Sequence, residues 1–183
     1  LDMFRIPYTG SGGLASAIAI NKPRAKHIVA QVGVRTPLHI VLERTPGMNI
    51  EDRVVEIFRT FPQPSVIKPL GKGSSIGVML AGSFHELLSG VMQALEENGS
   101  VLVEEYIRGK EVTCGVIDNF RDEERYTLLP IEVVLPKGKQ LFAYEMGGGR
   151  YVTLNKLDRP LSQKTRAFLE TQVKVIKEKL FTS

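Results

Sequence analysis

The chain has 183 residues, a net charge of +4, 43% apolar and 24% charged residues, the balance of a globular protein of one domain or two small lobes. No apolar run approaches the roughly 18 residues that span a bilayer, and a single cysteine, Cys114, excludes a disulfide within the chain. With 7% aromatics, no tryptophan and dispersed basic residues, it offers no basic–aromatic platform for single-stranded nucleic acid.

Residues 1–7 are a short apolar element with no basic region ahead of it, so no signal peptide is read and a cytoplasmic, reducing setting is expected. A turn-forming loop follows, Tyr8-Thr9-Gly10-Ser11-Gly12-Gly13, and the small apolar residues 14–20 predict one or two helical turns. Asn21-Lys22-Pro23 reads as a helix start, asparagine as cap and proline in the first turn, with Gly33 as the natural stop. Residues 38–42 predict a strand. Asn49 caps the next helix, whose apolar face is Val54, Val55, Ile57 and Phe58.

Residues 64–78 are the most informative stretch. Val66 and Ile67 read as a buried strand ending at Lys68-Pro69, where proline stops ladder pairing. Gly71, Gly73 and Gly77 then surround Ser74 and Ser75, and Val78-Met79-Leu80 reads as a returning strand. Glycine lets backbone N–H groups approach an anion closely, and serine hydroxyls add donors. Lys68 puts a positive charge at the mouth of that loop. A P-loop would run instead from Gly-Lys-Ser/Thr into a helix. The pattern fits a hairpin lid over a nucleotide triphosphate, and equally an ordinary glycine-rich hairpin with a solvated lysine.

Ser83 and Glu86 form a capping-box sequence, opening a helix in which Leu87, Leu88, Val91, Met92 and Leu95 recur at helical spacing up to Asn98-Gly99. Residues 101–107 predict a strand and Arg108-Gly109-Lys110 a turn. Residues 111–117 predict a further strand, with Cys114 in its middle as a small buried hydrophobe. Residues 118–125 read as a polar hairpin loop, 126–135 as the return strand, and 136–155 as a long mobile loop rich in glycine and lysine. Ser162 opens a last helix with Phe168, Leu169, Val173, Ile176 and Leu180 facing inward. His27, His39 and His85 lack metal-ligand spacing and read as structural. Strands and single helices in mixed order indicate an α+β fold with antiparallel sheets.

Several separated segments together resemble the ATP-grasp ligases, and within them the D-alanine–D-alanine ligases. They are Ile6-Pro7-Tyr8-Thr9-Gly10-Ser11-Gly12, Leu14-Ala15-Ser16-Ala17 with Asn21-Lys22, Lys68-Pro69 with Gly73-Ser74-Ser75-Ile76-Gly77-Val78, Val103-Glu104-Glu105-Tyr106-Ile107, Gly109-Lys110-Glu111-Val112, and Leu129-Pro130-Ile131-Glu132-Val133. The resemblance implies that Lys22 and Lys68 hold the triphosphate, as long, mobile point charges suited to phosphate oxygens. It implies that Gly73, Ser74, Ser75 and Gly77 form the flap over the phosphates, with Ser74 next to the reacting centre as the catalytic candidate. Glu104, Glu105, Tyr106 and Ile107 match the hinge strand that receives adenine, and Glu111 matches the acid that accepts from ribose hydroxyls. From the residues alone, Glu104 and Glu105 are also compatible with a solvated strand end, and Glu111 with a cross-strand partner of a lysine. A Lys68→Ala change is expected to remove nucleotide binding far more than it lowers stability.

The chemistry implied is phosphorylation of one D-alanine carboxylate by ATP, followed by attack of a second D-alanine's amine, as in peptidoglycan precursor synthesis. It calls for charge neutralisation by cations and for a loop that excludes water. The segment Phe142-Ala143-Tyr144-Glu145-Met146-Gly147-Gly148-Gly149-Arg150-Tyr151 lies where the family carries its mobile loop, and departs from its usual lysine–tyrosine ending. The expected cofactors are ATP and Mg2+, with the magnesium ligands outside this chain, since Glu132 and Asp158 lack a second carboxylate at suitable spacing. Expected partners are a nucleotide and small amino-acid substrates, with no nucleic acid and no membrane. A homodimer is left open for a full chain, its usual surface falling largely in an amino-terminal domain absent here. The expected layout is an ATP-grasp core: residues 1–33 an opening loop and helices joining the lobes, 34–107 a small lobe with the flap hairpin, and 108–183 part of a larger antiparallel-sheet lobe that stops before the metal-binding strands. Two other readings stand beside an incomplete ligase. One is a short or degenerate relative that binds nucleotide or a protein partner without catalysis; the other is an ATP-grasp enzyme joining a different carboxylate and amine.

Overall fold

A computed structural model gives the structure, which describes residues 2–4, 6, 8, 10–71, 73, 75–135, 153–156 and 163–181. After a 3-10 turn at Asp2–Phe4, the elements in chain order are α1 (Gly13–Ile20), α2 (Lys22–Gln31), β1 (His39–Glu43), α3 (Ile50–Thr60), β2 (Ser65–Pro69), β3 (Met79–Ala81) and α4 (Phe84–Asn98). There follow β4 (Ser100–Glu105), β5 (Glu111–Thr113), β6 (Val116–Phe120), β7 (Glu123–Thr127), β8 (Ile131–Val134), β9 (Thr153–Lys156) and α5 (Gln163–Phe181). They fall into two compact units. One is Leu1–Thr36, Lys110–Val134 and Thr153–Ser183; the other is Pro37–Gly109 and Leu135–Val152.

The Pro37–Gly109 segment is built on one antiparallel sheet of order β1-β4-β2-β3. Side chains alternate across a strand, so Ile40, Leu42, Ile67, Val101 and Val103 share one face. With Val54 and Ile57 of α3 and Leu87, Val91, Ala94 and Leu95 of α4 they form the apolar core. Burying each of these Leu, Ile or Val side chains stabilises the fold by about 1.5–3 kcal/mol relative to exposure. Gly90 brings α4 against the sheet: a Cβ there would lie 2.4 Å from Ile67 Cδ1. The helix starts are those read from the sequence. Asn49 Oδ1 accepts from the N–H groups of Glu51 and Asp52, and Ser83 and Glu86 form both halves of the capping box. Gly99, at φ +69°, ends α4. Met92 is exposed, against expectation, because it lies one position off the stripe of Leu87, Val91 and Leu95.

In the other unit α1, α2 and α5 pack together, and Asn21 caps α2 by accepting from Arg24 N–H at 3.1 Å. Its strands differ from expectation. Residues 111–117 do not make one strand: β5 joins the sheet β5-β8-β9, whereas β6 pairs with β7. The break is at Cys114-Gly115, where Leu128 N–H donates to Gly115 O at 2.9 Å and the Cys114 thiol donates to Leu128 O at 3.1 Å. Cys114 is therefore half-buried between strands rather than buried within one. The expected polar loop 118–125 is mostly strand, its turn reduced to Arg121 and Asp122, both at positive φ. The return strand 126–135 is cut into β7 and β8 by Pro130, which cannot donate to a ladder. Thr153–Lys156 is strand β9, so the expected loop does not reach 155; residues 136–152, with Arg150 and Tyr151, lie outside the described residues, as do Asp158 and Ser162. Phe168 is exposed, one position off the stripe of Leu169, Val173 and Ile176. No described helix is long and apolar enough to cross a membrane.

Candidate functional site

Lys68 lies on β2 and Glu104 on β4, on the sheet face away from α3 and α4. Val66 stands directly opposite Glu104, and Lys68 is two residues further along the same face, so the two charges meet on the diagonal. Their ammonium and carboxylate form an ion pair in which the Glu104 side chain is 6% exposed and that of Lys68 28%. Glu104 is thus no solvated strand end. Burying a carboxylate costs several kcal/mol unless a cation and hydrogen bonds compensate it, and Lys68 is that cation. An ammonium has three donors; with one turned to Glu104, the half-exposed Lys68 keeps donors for a further anion. Removing Lys68 therefore costs stability as well, by leaving the Glu104 carboxylate buried without its cation.

The loop after Lys68 is a tight double turn, Ile76 N–H donating to Gly73 O at 3.2 Å and Val78 N–H to Ser75 O at 3.3 Å. Gly77 sits at φ +73°, with room for a Cβ refused by Pro69 Cγ at 2.9 Å, so glycine is required there on both counts. Gly73 meets nothing within 4 Å and stays open to approach. Ser74, the catalytic candidate, and Lys72 lie outside the described residues. The expected hairpin is present, β2 pairing with β3 from Ser65 opposite Ala81 to Ile67 opposite Met79.

The hinge strand ends sooner than expected, at Glu105. Glu105 N–H donates to Leu38 O at 3.1 Å, and its carboxylate accepts from Leu38 N–H at 2.9 Å, so this side chain clamps the start of β1. Tyr106 N–H donates to Pro64 O at 3.2 Å. No described residue accepts from Ile107 N–H, and Ile107 is 62% exposed. Of three consecutive amides, two are committed to the fold and the third is open.

Lys22 and Glu111 belong to the other unit. Lys22 opens α2 behind the Asn21 cap, half-buried. Glu111 opens β5 opposite Val133 and is exposed; the glutamate that pairs with a lysine there is Glu132, 3.0 Å from Lys110 Nζ. Among the described residues no group of three or more His, Cys, Asp or Glu could hold a metal ion. Glu86 titrates below its ordinary 4.5, chiefly because Gly82 N–H donates to it and then because the Ser83 hydroxyl does. It serves the cap of α4.

The sequence profile described as D-ala D-ala ligase C-terminus matches residues 28–181. The chain belongs to that family. The D-alanine–D-alanine ligase of Halalkalibacterium halodurans is 37% identical over 145 residues, covering 79% of this chain and 45% of the relative. That of Carboxydothermus hydrogenoformans is 33% identical over 180 residues, covering 96% of this chain and 56% of the relative. Among solved structures, the VanG D-Ala:D-Ser ligase of Enterococcus faecalis superposes with a TM-score of 0.76 at 26% identity, over 98% of this chain and 50% of that one. The Bacillus anthracis D-alanine–D-alanine ligase, solved in complex with ATP, gives 0.64 at 25% identity, over 97% and 51%. The α+β ATP-grasp fold expected from the sequence is therefore borne out. This member of the D-ala D-ala ligase C-terminus family spans about half the length of the curated relatives it matches. The profile covers Lys68, the loop, residues 104–107 and Glu111, and leaves out Lys22.

What the sequence did not disclose is the mutual arrangement of Lys68 and Glu104. The two are 36 positions apart, and only the register of β2 against β4 brings them together. Gly90 was equally hidden, since an isolated glycine in a helical pattern carries no signal of what faces it.

Proposed function

We propose that this chain is the nucleotide-holding part of a D-alanine–D-alanine ligase. The observation that carries the reading is the open Ile107 N–H, three residues beyond a buried Glu104 paired with a half-exposed Lys68. An N–H donor beside an acceptor carboxylate and a cation suits a planar base edge with a polyphosphate attached. Adenine presents a ring-nitrogen acceptor and an amino donor side by side; guanine presents a carbonyl where adenine has its amino group, and its oxygen would face the carboxylate. The glycine loop, closed on itself by two turns and open at Gly73, suits backbone N–H contacts to phosphate oxygens.

In the reaction, the terminal phosphoryl of ATP passes to the carboxylate oxygen of one D-alanine, leaving ADP. The amine of a second D-alanine then forms the peptide bond, losing a proton as inorganic phosphate leaves. Lys68 holds phosphate oxygens, Ser74 and Ser75 offer hydroxyls beside them, and residues 105–107 hold the base. Roles for Lys22 at phosphate and Glu111 at ribose rest on the resemblance and are tested one at a time. The described residues do not make up a magnesium site, so no step is assigned to a metal here.

Calorimetric titration with ATP, ADP and GTP in the presence of magnesium tests the reading. Saturable binding of ATP and ADP, at least tenfold weaker for GTP, is expected. Equal binding of GTP, or no binding by a chain shown to be folded, would contradict it.

A further inference from the structure

The ladder between β1 and β4 ends irregularly, and it ends at the residues assigned to the base. In an antiparallel pair, alternate opposite residues exchange both backbone hydrogen bonds. Arg44 N–H donates to Gly99 O, and Leu42 and Ile40 stand opposite Val101 and Val103. Residues 99, 101, 103 and 105 therefore turn N–H and C=O toward β1, and Ile107 is next in that series. At the last pair Glu105 N–H donates to Leu38 O at 3.1 Å, as a regular ladder requires. The return bond would run from Leu38 N–H to Glu105 O. Leu38 N–H instead donates to the Glu105 carboxylate, at Oε1, at 2.9 Å. A carboxylate is a stronger acceptor than a peptide carbonyl, so this side chain displaces its own backbone from the pair.

We propose that Glu105 is a positioning residue whose side chain keeps the Ile107 N–H open for the base. The role rests on the function proposed above, since it acts through the amide assigned there. With Leu38 N–H taken by the carboxylate, the ladder stops on half a pair, and β4 ends at Glu105. Without that carboxylate, Leu38 N–H falls to the Glu105 carbonyl and the pair is completed. The chain beyond is then drawn along β1, and the Ile107 donor is spent on the fold. Tyr106 does not oppose this, because its N–H already goes to Pro64 O on the β2 side. Nor does Pro37 end the ladder by itself. By the same alternation it turns away from β4, where its missing N–H costs nothing, and proline biases the residue before it to extended backbone. The wedge is thus a side chain two residues from the amide it serves.

Hydrogen exchange of the nucleotide-free chain, read amide by amide by NMR, tests the proposal. In the parent, Glu105 and Tyr106 are expected to be protected and Ile107 not. Glu105→Leu should raise the protection of Ile107 by about tenfold or more, with Leu38 still protected, since both amides gain carbonyl partners. Loss of a simple stabilising clamp moves protection the other way, because the strand end frays. In the same variant ATP should bind about tenfold more weakly by calorimetry. Glu105→Gln keeps an acceptor oxygen in place, so Ile107 should stay unprotected and ATP affinity within about threefold of the parent. Thermal melts confirm the fold, and Glu105→Ala repeats the truncation without apolar bulk if Glu105→Leu does not fold. Exchange at Ile107 as fast in the truncated variants as in the parent overturns the proposal, as does ATP binding unchanged by a protected Ile107. Because exchange is read without nucleotide, a rise in Ile107 protection in a chain that binds no ATP upholds the wedge and counts against the proposed function alone.

Discussion

The two units carry the same device in different surroundings. In the Pro37–Gly109 segment, Val66 faces Glu104 and Lys68 lies two residues beyond; in the other unit, Val112 faces Glu132 and Lys110 lies two residues before. Each is a diagonal lysine–glutamate pair across neighbouring antiparallel strands. The first sits on a four-stranded sheet backed by the main core, with exposures of 28% and 6%. The second sits on a three-stranded sheet, its lysine 70% exposed and its glutamate 16%. Water decides the difference. In a high-dielectric setting an ion pair contributes little, while a buried carboxylate makes its cation a condition of the fold.

The largest expected effect follows from that. Lys68→Ala should cost about 3 kcal/mol in urea unfolding, within the range for breaking a buried pair. The double variant Lys68→Met with Glu104→Leu should recover most of that stability while still failing to bind ATP. A double variant as unstable as the single one would break the comparison.

Next is the packing behind the pair. Gly90→Ala places a methyl 2.4 Å from Ile67 Cδ1, on the strand that carries Lys68. An overpacked core usually costs about 1–3 kcal/mol, against about 0.5–1 kcal/mol gained by alanine over glycine inside a helix, and a melt raised by this substitution would contradict the close approach of α4.

These two sites show what was legible in the sequence. Helix starts were read correctly at Asn21, Asn49 and Ser83 because a cap is a local signal: a short polar side chain within three residues of the N–H it satisfies. Glu104 and Lys68 were each singled out, but their pairing was not, because it depends on strand register over a long stretch of chain. The residues around Cys114 failed for a related reason. Alternating apolarity over 111–117 suits one strand, and only the contact with Leu128, fourteen positions on, shows where it breaks. At Glu111 the alternation correctly gave a strand, yet the lysine's acidic partner proved to be Glu132.

A smaller effect depends on pH. Glu86 accepts from Gly82 N–H at 2.9 Å and Ser83 N–H at 3.0 Å, and its depressed pKa means that ionised Glu86 stabilises the fold. That contribution is complete well above pH 4.5 and is lost as pH falls below it toward the folded-state value. Glu86→Gln should therefore melt lower than the parent at pH 7, with the gap shrinking at pH 3. A gap independent of pH would contradict the charged cap.

Smallest of all, Lys110→Ala should change stability by no more than about 1 kcal/mol, since the 70% exposed ammonium leaves water able to replace it at Glu132. A loss as large as that from Lys68→Ala would show that burial does not separate the two sites.

The central claim is that the segment following Glu104 receives an adenine nucleotide, and amide NMR of the chain titrated with ATP tests it most directly. The Ile107 amide should shift most among residues 105–107, saturating together with changes at Lys68 and Gly73, while Glu105 and Tyr106, already bonded to Leu38 and Pro64, move little. Saturable binding that leaves Ile107 unmoved, or that shifts only residues of the other unit, would contradict it.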